Sequence, residues 1–160
     1  MENTGTSELA RTLLALRGAS QAPRSLRTVA VVDEVEYLDD GASITPEAAL
    51  LSLLHLGKPL VWVADAALID AVDTRMVEFL REHVDGLVFF GTAEHARVEA
   101  LHAELGRVYH TGDLRTAVFA ARELATSGGR VLFSPACPSG EGPAGQQQRE
   151  AIFKQAVNDL

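Results

Sequence analysis

Cys137 lies in the run Ser134-Pro135-Ala136-Cys137. A cysteine nucleophile needs a nearby base and a stabilised thiolate. His110 is the candidate base if the fold brings their segments together; the plainer reading is a small buried thiol. Asp39 and Asp40 form an adjacent carboxylate pair. Such a pair suits a cation or a polar substrate, but it equally suits turn and cap chemistry, which is the reading preferred here. The five histidines are His55, His83, His95, His102 and His110. His95 and His102 are seven apart and share a face if they lie on one helix, yet that spacing matches a solvated face better than a metal site. Asp65 and Asp70 flank the apolar run Ala66-Ala67-Leu68-Ile69, which offers no polar group to a ligand. No metal site is expected.

The elements that must position these residues follow from periodicity and punctuation. Thr28–Val32 and Val35–Leu38 read as short strands, and Asp33-Glu34 between them makes a hairpin. Thr45 and Pro46 open a helix that ends at Leu56, before Gly57, because a threonine can cap a free amide and proline lacks the amide that would go unpaired. Strands are expected at Pro59–Ala64, Gly86–Gly91, Arg107–His110 and Arg130–Ser134. They alternate with helices over Asp73–His83, Ala93–Leu105, Asp113–Thr126 and Gln146–Asn158, and Gly140–Gly145 reads as a loop. Trp62, in mid-strand, reads as core. Strands that are apolar on both faces and alternate with helices imply a parallel sheet covered on both sides. The expected fold is therefore α/β: a Rossmann-like three-layer α/β/α sandwich, its sheet mainly parallel with a short N-terminal hairpin. Residues 1–26 are expected to hold an N-terminal helix (Thr6–Leu16) and the linker Gly18–Ser25, and residues 27–160 the domain proper.

Composition narrows the partners. The chain has 160 residues, 47% hydrophobic and 22% charged, with a formal net charge of -8. An acidic surface argues against nucleic acid or an anionic membrane, both of which reward basic patches. One cysteine permits no internal disulfide and fits a reducing compartment. With no basic-then-apolar leader and no apolar run of about 20 residues, a cytoplasmic location is expected. Ligands of open α/β sheets bind beyond the carboxyl ends of the strands. There this sequence places Asp39, Asp40, Asp65, Gly91, Thr92, Thr111, Gly112, Ser134 and Cys137–Ser139, but neither Gly-x-Gly-x-x-Gly nor Gly-x-x-x-x-Gly-Lys-Ser/Thr. No cofactor is expected.

The ordered segments resemble the C-terminal domain of a Mur ligase, specifically the branch that adds D-glutamate in peptidoglycan synthesis. Residues 37–53 (YLDDGASITPEAALLSL) resemble the family's Asp-Ser-Lys-Ala-Thr-Asn-Pro-x-Ala. GLVFFG, TGDLRTAV, GGRVLFSPAC and QQQREAIFKQAV then follow in the family's order, and the resemblance covers about Leu16–Leu160. The family's Ser-Pro-Ala-Cys-Ala-Ser-Phe-Asp-x-Phe-x-Asn-Phe-x-x-Arg-Gly registers without gaps on Ser134–Glu150. The resemblance implies ATP-dependent D-glutamate ligation, with the phosphate-binding loop in a central domain outside this chain.

Several of its motif positions, however, are changed, both lysines among them. The Lys, Thr and Asn of the first motif fall on Ala42, Ile44 and Thr45. The family's Gly-Gly-x-Asp-Lys falls on residues 65–69, so its charged pair becomes Leu68 and Ile69. Two phenylalanines become Gly140 and Pro143, and an asparagine becomes Gly145, while Ser139 and Arg149 remain. Amide formation through an acyl phosphate needs cations and fixed donors. The chain is therefore expected not to be an enzyme but a binding or regulatory module with a protein partner or its own copy. A remnant pocket of Thr111, Ser134, Cys137, Ser139 and Arg149 offers an alternative, an amino-acid or small-molecule binder, because hydroxyl and guanidinium donors suit a carboxylate. A further alternative is the substrate-binding half of a split ligase.

Overall fold

The computed structural model describes residues 26–160. The helix expected over Thr6–Leu16 and the linker Gly18–Ser25 lie outside the described residues. Six strands form one sheet: β1 (Arg27–Val32), β2 (Val35–Asp39), β3 (Leu60–Asp65), β4 (Gly86–Phe90), β5 (Val108–Thr111) and β6 (Arg130–Phe133). Their spatial order is β1-β2-β6-β3-β4-β5. β1 runs antiparallel to β2, and every other pairing is parallel. The helices are α1 (Pro46–Leu56), α2 (Thr74–His83), α3 (His95–Leu105), α4 (Leu114–Leu124) and α5 (Gly142–Asn158), with a 3₁₀ helix at Ala66–Ala71.

Alternation along each strand sorts the core into two halves. Trp62, Ala64, Leu87, Phe89 and Leu132 face α1, α2 and α3, where they meet Leu50, Leu53, Met76, Leu80 and Leu101. Val61, Val63, Val88, Phe90, Val131 and Phe133 face α4 and α5, where they meet Val118, Ala121, Phe153 and Val157. A strand buried on both faces needs apolar residues at every position, as these strands have. The result is the three-layer α/β sandwich with its N-terminal hairpin.

Local chemistry explains the boundaries. Asp33 and Glu34, the two residues of the hairpin turn, both have positive φ, 51° and 65°. That is the geometry a two-residue hairpin requires. Arg122 pairs with Asp33 at 2.9 Å and helps hold the turn. Thr45, Asp73 and Asp113 each accept a first-turn amide hydrogen bond, from Ala48, Met76 and Thr116 respectively.

One local reading of the sequence needs correction, and one segment carries a helix that the sequence reading left unassigned. Residues 66–71 coil into a 3₁₀ helix, capped by Asp65 through a 2.8 Å bond from the Ala67 amide. The last helix starts at Gly142 rather than Gln146, so most of the expected 140–145 loop is its first turn. Pro143 sits where a helix needs no amide. Gly145 is packed so closely that an added Cβ would lie 2.3 Å from Ser139 Oγ.

Candidate functional site

The carboxyl ends of the parallel strands form a crest built mainly from the 39–43 and 134–139 loops and the end of β3. Asp40 is fully buried. Its carboxylate accepts hydrogen bonds from Ser52 Oγ (2.6 Å), on α1, and Ser134 Oγ (2.8 Å), just past β6. The Ala136 amide donates to Ser43 O at 2.9 Å, and Trp62 Nε1 donates to Ser134 O at 2.8 Å. Ala136 holds φ 65° while almost fully buried, a conformation costly for a residue with a Cβ and imposed here by these neighbours. Asp40 thus ties β2, α1 and β6 together rather than facing a ligand.

Asp39 is also buried, and it accepts the Gly41 amide at 2.9 Å. Burial pushes its carboxyl up from 3.8 to about 6; the Gly41 amide opposes this, nearby Glu150 adds to it, and Lys154 opposes it. Glu150 crosses directly over Gly41, where an added Cβ would lie 2.4 Å from its Cγ. Lys154 Nζ stands 3.9 Å from Asp39.

Arg149 reaches from α5 across the crest. Its Nη1 donates to Cys137 O at 2.7 Å, and its Nη2 contacts Pro138 O at 3.4 Å and pairs with Asp65 at the end of β3. The guanidinium lies over the Phe90 ring, 5.6 Å from its centroid. The two side chains are only 12% and 19% exposed, so the pair is largely withdrawn from water.

The remaining expected site residues divide between this region and the far edge of the sheet. Ser134, Cys137, Ser139 and Arg149 come together between β6 and α5. Ser134 is fully buried and committed to Asp40. Ser139 Oγ accepts the Glu141 amide at 3.1 Å. The Cys137 thiol is pushed up to about 11, by burial first and by Asp65 next, with Arg149 opposing. Thr111 ends β5, with its hydroxyl on Asp113 O at 2.8 Å. β5 lies three strand spacings from β6, about 14 Å at ~4.8 Å each. That separation sets Thr111, at the end of β5, apart from Ser134 at the end of β6. The His110 ring bonds Gly91 O.

His95 pairs with Glu99 at 3.5 Å, whereas His102 bonds Val108 O at 2.9 Å. Among the described residues no group of three His, Cys, Asp or Glu side chains could hold a metal ion, and no helix is long and apolar enough to cross a membrane.

The positions where the chain departs from the resembled motifs have distinct fates. Leu68 is fully buried and Ile69 is 9% exposed, both within the core half that contains Trp62 and Met76. Ala42 is exposed, Ile44 is half-buried and Thr45 is the α1 cap. Gly140 and Pro143 are exposed. Beside the 3₁₀ helix a cleft of about 370 Å³ is lined by Ala66, Asp70, Thr92 and Arg97, and Arg97 is held by Asp70 at 2.5 Å. On the crest, Arg149 faces Asp65 and Lys154 faces Asp39, so an incoming phosphate would meet paired cations and buried carboxylates.

Sequence reading alone misses the role of Asp65. Along the chain it is one flank of an apolar run, and its partner is 84 positions away.

Comparison with known proteins places these observations. The chain is 31% identical over 156 residues to a UDP-N-acetylmuramoylalanine–D-glutamate ligase of Pelotomaculum thermopropionicum, covering 97% of this chain and 34% of that protein. Ligases of the same name from Rubrobacter xylanophilus and Streptomyces avermitilis are each 35% identical, over 87% and 82% of this chain and 32% and 30% of theirs. No family model matches the chain. The crystal structure of the MurF ligase from Thermotoga maritima in complex with ADP superposes with a TM-score of 0.48 at 15% identity, over 94% of this chain and 38% of that one. Nearly the whole of this chain is a Mur-ligase-like unit, homologous to about a third of the length of the curated ligases it matches.

Proposed function

We propose that this chain is a non-catalytic Mur-ligase-like module of cell-wall synthesis, which acts by binding a protein partner or a second copy of itself. The observation that carries this reading is the burial of Leu68 and Ile69, the positions where the resembled motif has its charged pair. A transferred phosphoryl group needs cations at its developing charge. A fully buried leucine supplies none, and an aspartate or lysine placed among Trp62 and Met76 would lose its hydration without gaining a partner.

The crest supports the same reading. Its guanidinium is paired within the chain, and Ser134, Ser139 and Thr111 have their hydroxyls engaged in bonds to their own loops or to Asp40. The Cys137 thiol, pushed up to about 11, is almost wholly protonated at neutral pH and is a poor nucleophile.

The test supplies the purified chain with ATP, magnesium, D-glutamate and UDP-N-acetylmuramoyl-alanine and follows ADP release. No release above the protein-free control is expected. ADP formed in step with amide product would overturn the reading. Light scattering and co-purification with cell-wall enzymes should show a stable assembly, and a strictly monomeric chain that captures no such enzyme would contradict the binding role.

A further inference from the structure

We infer that the Arg149 guanidinium forms a carboxylate-binding site that Asp65 occupies from within the chain. Three features make this a built site rather than a chance ion pair. The guanidinium is aimed by bonds that do not involve Asp65, namely those to Cys137 O at 2.7 Å and Pro138 O at 3.4 Å. It lies over the Phe90 ring, an apolar platform that leaves its polar edge as the place for an anion. Both members of the pair are largely withdrawn from water, Arg149 at 12% side-chain exposure and Asp65 at 19%.

The backbone contacts and the packing of α5 hold the cation in place, so removing the carboxylate leaves a nearly buried charge without its counterion. Such a charge is costly, and an anion from solution relieves the cost. A guanidinium favours a carboxylate because its planar donors match the two oxygens. The ligand class is therefore a small carboxylate, such as acetate or the carboxylate of a free amino acid. The residue at position 65 decides whether the site is open. Aspartate closes it, because its carboxylate both neutralises Arg149 and caps the 3₁₀ helix through the Ala67 amide.

The inference is separate from the proposed lack of catalysis. ADP release by the unaltered chain would end that reading and leave this one standing, whereas failure of acetate to bind the opened site would end only this one.

The experiment uses Asp65→Ser, which keeps an oxygen for the Ala67 amide, together with Asp65→Gly and the double variant D65S/R149M. Thermal unfolding is measured while acetate replaces chloride at constant ionic strength. In D65S and D65G the midpoint should rise saturably, with half the effect on the order of 10 mM acetate. The unaltered chain and D65S/R149M should show no saturable rise. If D65S and D65G are unfolded in chloride, acetate should restore the folded Trp62 fluorescence. Equal acetate responses in all four proteins, or no response in either D65S or D65G, would overturn the inference.

Discussion

Asp39 shows how one buried carboxyl makes the stability of this chain depend on pH. Burial raises it from 3.8 to about 6. Its folded value therefore lies above its unfolded value, and the folded state binds the proton more tightly. Its stabilising contribution is fully present below about pH 4 and is lost as pH rises through about 6. A shift of about two units corresponds to roughly 2–3 kcal/mol. Asp39→Asn keeps an acceptor for the Gly41 amide and removes the charge, so it should stabilise the protein by about 1–2 kcal/mol at pH 7.5. The gain should disappear near pH 4, as read from urea midpoints at both values; a variant less stable at pH 7.5 would refute this account. Cys137 is the second case. A thiol pushed from 9.0 to about 11 carries about a hundredfold less thiolate at neutral pH. Iodoacetamide should label it about 100-fold faster in the denatured chain than in the native one, and comparable rates would contradict its protected environment.

At the scale of elements, the 65–71 segment is a packing element where the resembled motif carries a charged pair. Leu68 and Ile69 point into the core, and the acids at the two ends of the apolar run, Asp65 and Asp70, hold Arg149 and Arg97. Leu68→Asp puts back the charge type of the resembled motif. It should cost about 4 kcal/mol or more, because a carboxylate without a partner is then buried beside Trp62. Chemical denaturation reads this loss, and a variant of unchanged stability would show that the segment can turn outward. The start of α5 carries the same lesson. Gly145 and Pro143 let the chain enter the helix early and close against Ser139, where an asparagine side chain would meet Ser139 Oγ.

At the scale of the whole molecule, one sheet couples two core halves. Phe153 on α5 stacks on Phe133 at 5.0 Å, whereas Trp62 lies on the opposite face. Phe153→Ala should cost about 3–5 kcal/mol. Because both halves share the same strands, Trp62 fluorescence and far-UV circular dichroism should lose their signals at one common, lowered midpoint. Separate transitions would mean that the two faces unfold independently.

Local order is written along the chain itself. The apolar runs 60–64 and 86–90, the caps Thr45 and Asp113 and the stop at Gly57 are consequences of neighbouring residues, so the α/β layering, the strand positions and the hairpin can be read directly from the amino-acid sequence. The altered charges at 68 and 69 are legible there too. What the tertiary structure decided were the partnerships between distant positions. Asp40 with Ser134, Asp65 with Arg149 and Glu150 over Gly41 are 94, 84 and 109 residues apart. Sequence spacing carries no information about such pairs, because their geometry exists only once the strands are ordered β2-β6-β3 and α5 is packed on their face. For the same reason, the residues expected to form an open pocket are here engaged with Asp40, Asp65 or their own loops, and only the fold shows that Asp65 already fills the place beside Arg149.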